Sequence, residues 1–133
     1  MRSLPVLLRE FHECFEIPDG ESNVRLRCVL EEVEELTEAI GIFRQLNGTT
    51  KLDPEGPVAQ HLAKESVDVV YTIVSLFEAL GWDFTGAFEE VHRSNMSKGT
   101  MVDGVFQFKK VGGKVAKPST YSPADMKRFL NHG

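Results

Sequence analysis

A chain of 133 residues has room for one hydrophobic core but not for two, and its 41% hydrophobic and 26% charged residues are those of an ordinary soluble globular domain. A formal net charge of −5 is the wrong sign for a general nucleic-acid binder, whose phosphate contacts need an excess of Lys and Arg. The opening Met1-Arg2-Ser3-Leu4-Pro5 lacks the apolar stretch of a signal peptide, and Val67 to Leu80 is too short for a membrane span and carries Asp68 and Glu78, so the expectation is one cytoplasmic domain over 1–133 with no nucleic-acid or membrane partner.

Ser3 is placed to cap a first helix running to about Phe15, with Pro5 tolerated in its opening turn and Leu4, Leu7, Leu8, Phe11, Cys14 and Phe15 as its apolar face. His12 lies beside that face and reads as structural. Cys14 and Cys28 have no metal-type spacing and read as reduced core residues. After the turn-rich Ile17–Asn23 comes a long helix, about Asn23 to Leu46, in which Leu26, Val29, Leu30, Val33, Leu36, Ile40 and Phe43 recur at steps of three and four. Five glutamates sit between Leu30 and Ile40. Glu32 and Glu35 are one turn apart, and of the five Glu32 is closest to the apolar stripe, where a carboxylate loses hydration unless a cation compensates.

A non-periodic loop over 47–57 leads to a helix from about Val58 to Leu80, apolar almost all round and so read as buried, yet carrying Glu65-Ser66-Val67-Asp68. If the two long helices pack antiparallel, Glu-x-x-Glu faces Glu-x-x-Asp across one pocket. Four carboxylates at one point repel one another, so the pocket makes physical sense with a cation in it, and an all-oxygen set suits Mg²⁺ or Mn²⁺. Gly81 closes this helix and Asp83 caps the next, Phe84 to about Lys98. Its Asn95 and Lys98 share a face and suit a sugar or metal contact and a phosphate contact. Val105 to Val111, the turn at Gly112-Gly113 and Lys114 to Lys117 read as one small β-hairpin near 105–117. Ser122-Pro123-Ala124-Asp125 reads as the start of a short last helix reaching about Asn131. The elements make an all-α fold: four main helices, a short C-terminal helix and the hairpin.

Leu30-Glu31-Glu32-Val33-Glu34-Glu35-Leu36, Glu65-Ser66-Val67-Asp68 and Glu90-Val91-His92-Arg93-Ser94-Asn95-Met96-Ser97-Lys98, in that order, resemble the all-α nucleoside triphosphate pyrophosphohydrolases. This MazG-like superfamily also includes the phosphoribosyl-ATP pyrophosphohydrolases. Glu10-Phe11-His12-Glu13 and Gly113-Lys114-Val115-Ala116-Lys117-Pro118 with Tyr121-Ser122-Pro123 look like the branch near the bacterial all-α dUTP hydrolases. The resemblance implies a MazG-like helical bundle and conversion of a (d)NTP, with dUTP or a purine deoxynucleotide such as dGTP as candidates, to (d)NMP and pyrophosphate. It implies Mg²⁺ or Mn²⁺ held by Glu32, Glu35, Glu65 and Asp68, and a catalytic carboxylate among Glu31, Glu35 and Glu65. Asn95 and Lys98 would bind substrate, with Arg93, Lys117 and Tyr121 as further contacts, in a homodimer or homotetramer. Val102 to Val111 departs from the family pattern as an insertion. Two other readings use the same residues: a di-iron carboxylate bundle, for which Glu89 and His92 supply one Glu-x-x-His where two are usual, and a non-enzymatic helical adaptor with an acidic face.

Overall fold

The computed structural model describes residues 1–47 and 56–130. In chain order these form α1 (Leu4–Cys14), α2 (Ser22–Asn47), α3 (Pro57–Leu80), α4 (Phe84–Met96), β1 (Thr100–Val102), β2 (Val105–Gln107), β3 (Lys110–Val111), β4 (Lys114–Val115) and α5 (Lys127–Leu130). They divide between two compact units, Met1–Trp82 and Asp83–Gly133. Most of the loop between α2 and α3, and Asn131 at the expected end of the last helix, lie outside the described residues.

In the N-terminal unit Ser3 caps α1, its Oγ accepting the Val6 N–H at 3.4 Å. Both α1 and α2 pack on α3. Helices α2 and α3 run antiparallel: Arg25 and Cys28, early in α2, share a cavity with Thr72 and Ser75, late in α3, whereas Glu32 meets Glu65 and Asp68. The core is small. Leu8, Ala39, Val74 and Ala79 are nearly inaccessible. Gly81 ends α3 in the left-handed region at φ 70°, and its N–H and that of Trp82 close back on the carbonyls of Glu78 and Phe77. Trp82 packs edge-to-face on Phe77.

Two expectations fail here. The helix α3 is not buried all round: its buried residues are Glu65, Val74, Ser75 and Ala79, while Val67 and Val70 are 65% and 43% exposed. Two helices cover only part of its circumference. Nor are the cysteines core residues, since Cys14 is exposed at the end of α1 and Cys28 is half-buried, both as free thiols.

In the C-terminal unit Asp83 caps α4 by accepting the Gly86 N–H at 2.9 Å. Two hairpins follow where one was expected. Strands β1 and β2 pair antiparallel, Thr100 opposite Gln107 and Val102 opposite Val105, while β3 pairs with β4. Their two-residue turns are Asp103-Gly104 (φ 51° and 77°) and Gly112-Gly113 (φ 59° and 81°), the left-handed pairs that match the twist of a tight hairpin. The Asp-Gly dipeptide was the overlooked signal.

The last helix is also shorter than expected. Only Lys127–Leu130 is helical, because the backbone of 122–125 finds its partners on α4 instead. The Ser122 N–H donates to Ser97 Oγ at 2.8 Å, the Asp125 N–H to Glu90 Oε2 at 2.8 Å, and Arg93 Nη2 donates to the Pro123 carbonyl at 3.2 Å.

Gly86 lies where these elements meet. A methyl group there would collide with the Asp83 carboxylate and come within 2.7 Å of the buried Phe129 ring. Alanine gains about 1 kcal/mol of helix propensity over glycine. Against this stand overpacking of about 1–3 kcal/mol and disturbance of a cap that contributes about 1 kcal/mol. Gly86→Ala is therefore expected to lower stability by roughly 1–3 kcal/mol in urea denaturation, and a neutral or stabilising result would show that Phe129 yields.

Candidate active site

Within the N-terminal unit the packing of α2 on α3 brings Glu32, Glu65 and Asp68 together, each offering an oxygen within 4.8 Å of the others. Hard divalent cations bind oxygens at roughly 2.0–2.6 Å, so two ligands of one ion lie at most roughly 4–5 Å apart. The spacing fits. A sharper sign is that Glu32 Oε2 and Glu65 Oε2 are buried with no hydrogen-bond partner among the described residues. Buried carboxylate oxygens are costly unless paired, and a cation bound between these neighbouring acids would satisfy them. Glu65 is only 5% exposed.

Two basic side chains border this cluster. Lys64 Nζ donates to Asp68 Oδ2 at 2.7 Å and lies 3.7 Å from Glu65 Oε1, with His61 Nδ1 also 3.7 Å from that oxygen. The hydrogen bond to Asp68, then the charges of Asp68 and Glu65, push the Lys64 pKa up. Lys64 was missed in the sequence, although its i, i+4 spacing to Asp68 is a standard helical charge pair. Glu35, expected as a fourth ligand, is exposed one turn beyond Glu32 and is not among the three clustered acids.

A cavity of about 160 Å³ opens beside Glu32, walled by Phe11, Arg25, Glu31, Tyr71 and Ser75 among others. Phe11 and Tyr71 meet edge-to-face, with ring centroids 5.5 Å apart. His12 is buried and hydrogen-bonded to Ser75 Oγ at 2.7 Å, and burial, followed by the charge of Arg25, pushes its pKa down. That is the structural histidine read from the sequence. Glu31 is exposed at the rim of this cavity, where a carboxylate keeps access to water. The aromatic wall and Arg25 were not singled out as functional, because their periodicity is that of any helix packing face.

In the C-terminal unit α4 presents an exposed Asn95, with the half-buried Lys98 just past its end. Arg93 is committed elsewhere. Its Nε and Nη2 donate to the two Glu90 oxygens at 2.7 and 2.9 Å, Nη1 to Ser122 Oγ at 3.1 Å, and Nη2 also to the Pro123 carbonyl. Ser94 Oγ donates to the Tyr121 hydroxyl at 3.2 Å, and the Lys117 ammonium sits 5.0 Å from the Tyr121 ring centroid. Glu89 and His92, the lone Glu-x-x-His, are both exposed.

The family model for phosphoribosyl-ATP pyrophosphohydrolase matches residues 8–95, from the middle of α1 to the last turn of α4, and stops before the hairpins. No curated protein matches the chain.

Glu90 gives a test of the C-terminal unit that is independent of metal. The Arg93 hydrogen bonds, and next the Asp125 N–H, hold its carboxyl at about 2, against an ordinary value of 4.5. A depressed folded pKa contributes stability that is complete above the unfolded value and is lost as pH falls from about 4.5 through about 2. Melting temperatures between pH 5 and 2 should therefore fall less steeply for Glu90→Gln than for the parent, from a lower starting point. Parallel curves would mean that Glu90 carries no such linkage.

Proposed function

Because the chain belongs to the phosphoribosyl-ATP pyrophosphohydrolase family, enzymes that split pyrophosphate from a nucleotide, we propose that it hydrolyses a (d)NTP to (d)NMP and pyrophosphate, using a divalent ion at Glu32, Glu65 and Asp68. The carrying observation is the pair of unpartnered buried oxygens on Glu32 and Glu65. When bound there, Mg²⁺ or Mn²⁺ supplies charge neutralisation of the phosphates and a more acidic water. Glu31, at the rim of the cavity, orients that water or takes its proton, with Glu35 one turn away as the alternative base. The proton-bearing oxygen adds to the α-phosphorus as the bond to the bridging oxygen of the β-phosphate breaks. The cavity bounded by Phe11, Tyr71 and Arg25 supports binding of a flat ring and a polar group. In this reading Asn95 and Lys98 contact sugar and phosphate, while Arg93 holds the C-terminal segment. The three clustered acids include no histidine, and Glu89 and His92 are exposed, which gives the di-iron reading no support.

A panel of canonical (d)NTPs, dUTP and phosphoribosyl-ATP, the last because the matched family carries its name, should yield pyrophosphate with Mg²⁺ or Mn²⁺ and nothing in chelator. Orthophosphate with a diphosphate product would overturn the reaction. Lys98→Ala is expected to lower kcat/KM by at least about tenfold, or about 1.4 kcal/mol.

Asp68→Asn separates function from fold. The Lys64–Asp68 pair is largely exposed on the lysine side, and such pairs contribute about 0–1 kcal/mol, so melting in chelator should change little. Activity and the rise in melting temperature on adding Mg²⁺ should both be lost. A variant that remains active but is destabilised would return Asp68 to a structural role.

A homodimer or homotetramer is part of the proposal. Leu26, Leu30 and Val33 on α2, and Val67 and Val70 on α3, are 41–69% exposed, and each buried large apolar side chain contributes roughly 1.5–3 kcal/mol. Sedimentation at micromolar concentration should give a multiple of 14.9 kDa, and a monomer mass would refute it.

A further inference from the structure

The two carboxylates that α3 brings to the acidic cluster are held unequally at their oxygens. Lys64 Nζ donates to Asp68 Oδ2 at 2.7 Å and stands 3.7 Å from Glu65 Oε1, so one ammonium spans two acids. His61 Nδ1 lies 3.7 Å from the same Glu65 oxygen. Glu65 Oε2 and, on α2, Glu32 Oε2 are buried and have no partner among the described residues. The protein thus engages one oxygen of Asp68 and one of Glu65, and leaves Glu65 Oε2 and Glu32 Oε2 open.

Helix stability does not account for this arrangement. His61–Glu65 and Lys64–Asp68 are both i, i+4 pairs with the base on the N-terminal side, the order that stabilises a helix less. The Lys64 side chain is 68% exposed, and solvated pairs of this kind contribute little to folding. A carboxylate that ligates a metal gains more from such a partner, because a hydrogen bond to one oxygen fixes the orientation in which the group meets the ion. Asp68 needs that constraint. Its side chain is 32% exposed and has solvent to turn into, and Lys64 is the one hydrogen-bond donor to its carboxylate among the described residues. The same ammonium offsets the repulsion that drives Asp68 away from Glu65 and Glu32 when no ion is bound.

We infer that Lys64 is a positioning residue of the metal site, holding Asp68 and Glu65 in place for a divalent ion shared with Glu32. This role rests on the ion proposed at those three acids, and it belongs to a residue that acts through two ligands rather than on the ion or the substrate. An ammonium close to a cation also repels it, so the rival role is a tethered competitor that has to leave before the ion binds. The two roles differ in sign. Loss of a hydrogen bond to a metal ligand lowers affinity about 10–100-fold, whereas loss of a competitor raises it. The division of oxygens favours positioning. Lys64 engages Asp68 Oδ2 and Glu65 Oε1, and so does not contend with an ion for the buried Glu65 Oε2 and Glu32 Oε2.

Titration of the full chain with Mn²⁺, followed by the paramagnetic resonance of the free ion, measures affinity without turnover. Lys64→Met should weaken Mn²⁺ binding by at least about fivefold, while Lys64→Arg, which keeps a charged donor, should stay within about twofold of the parent. Arg27→Gln removes a positive charge from an exposed position on α2 outside the cluster and should also change affinity by less than about twofold. In turnover assays Lys64→Met should need more Mg²⁺ for half-maximal rate, and saturating Mg²⁺ should restore kcat to within about threefold, because the lysine acts on the ligands. Equal or tighter Mn²⁺ binding by Lys64→Met would overturn the inference, the tighter result making Lys64 a competitor. A kcat that stays low in saturating Mg²⁺ would also overturn it, by placing Lys64 on the substrate. A lower melting temperature in chelator with unchanged Mn²⁺ affinity would reduce Lys64–Asp68 to a helix ion pair. Absence of Mn²⁺ binding by the parent would remove the metal site and this role together, whereas parent binding with an unaffected Lys64→Met removes the role alone.

Discussion

Glu65 is the residue around which the N-terminal unit has to be explained. A carboxylate 5% exposed on a helix, with one oxygen unpartnered, is an expense that a fold built only for stability would remove by substitution. Here the packing of α2 on α3 sets Glu32 against it, with a second unpartnered oxygen, and Asp68 one turn on. Lys64 lies at the edge of this cluster, hydrogen-bonded to Asp68 and 3.7 Å from Glu65. A divalent cation would convert the same geometry into a ligand set, so the antiparallel pairing of the two long helices that forms the core of the unit also gathers the acids that could hold one.

The C-terminal unit contains a buried glutamate of the opposite kind. Glu90 is as buried as Glu65, at 6% exposure, and also sits on a helix. Yet its oxygens are matched by two Arg93 donors and the Asp125 N–H, and its carboxyl stays ionised far below the usual range. Charge-assisted bonds of this kind make a buried glutamate a fastener. The two residues have the same type and burial. What separates them is whether the acceptors are filled by the protein itself.

That fastener also explains the local architecture. By taking up the backbone groups of 122–125, Glu90, Arg93 and Ser97 keep this segment out of the helix that its Ser-Pro start favours. The segment follows directly on Lys117–Thr120, which line a cavity of the C-terminal unit. Tight turns at Asp103-Gly104 and Gly112-Gly113 fold the preceding segment into two hairpins whose strands are too short to bury anything of their own.

Helices, caps and the acidic motifs were legible in the sequence, because each depends on residues within a few positions of one another. Ser3, Gly81 and Asp83 satisfy local backbone groups, and the three-and-four spacing of Leu26 to Phe43 has one reading. The Glu-x-x-Glu and Glu-x-x-Asp pairs were legible for the same reason. Which of their members meet was not. One turn of helix separates Glu32 from Glu35, and only packing against α3 decides that the first is drawn into the cluster and the second is left exposed. The role of Arg93, the loss of half the last helix and the gathering of Lys98, Lys109 and Lys117 around one cavity all depend on partners roughly 10–30 positions away. Local propensity carries no information about such partners, since their energies exist only once the chain has folded.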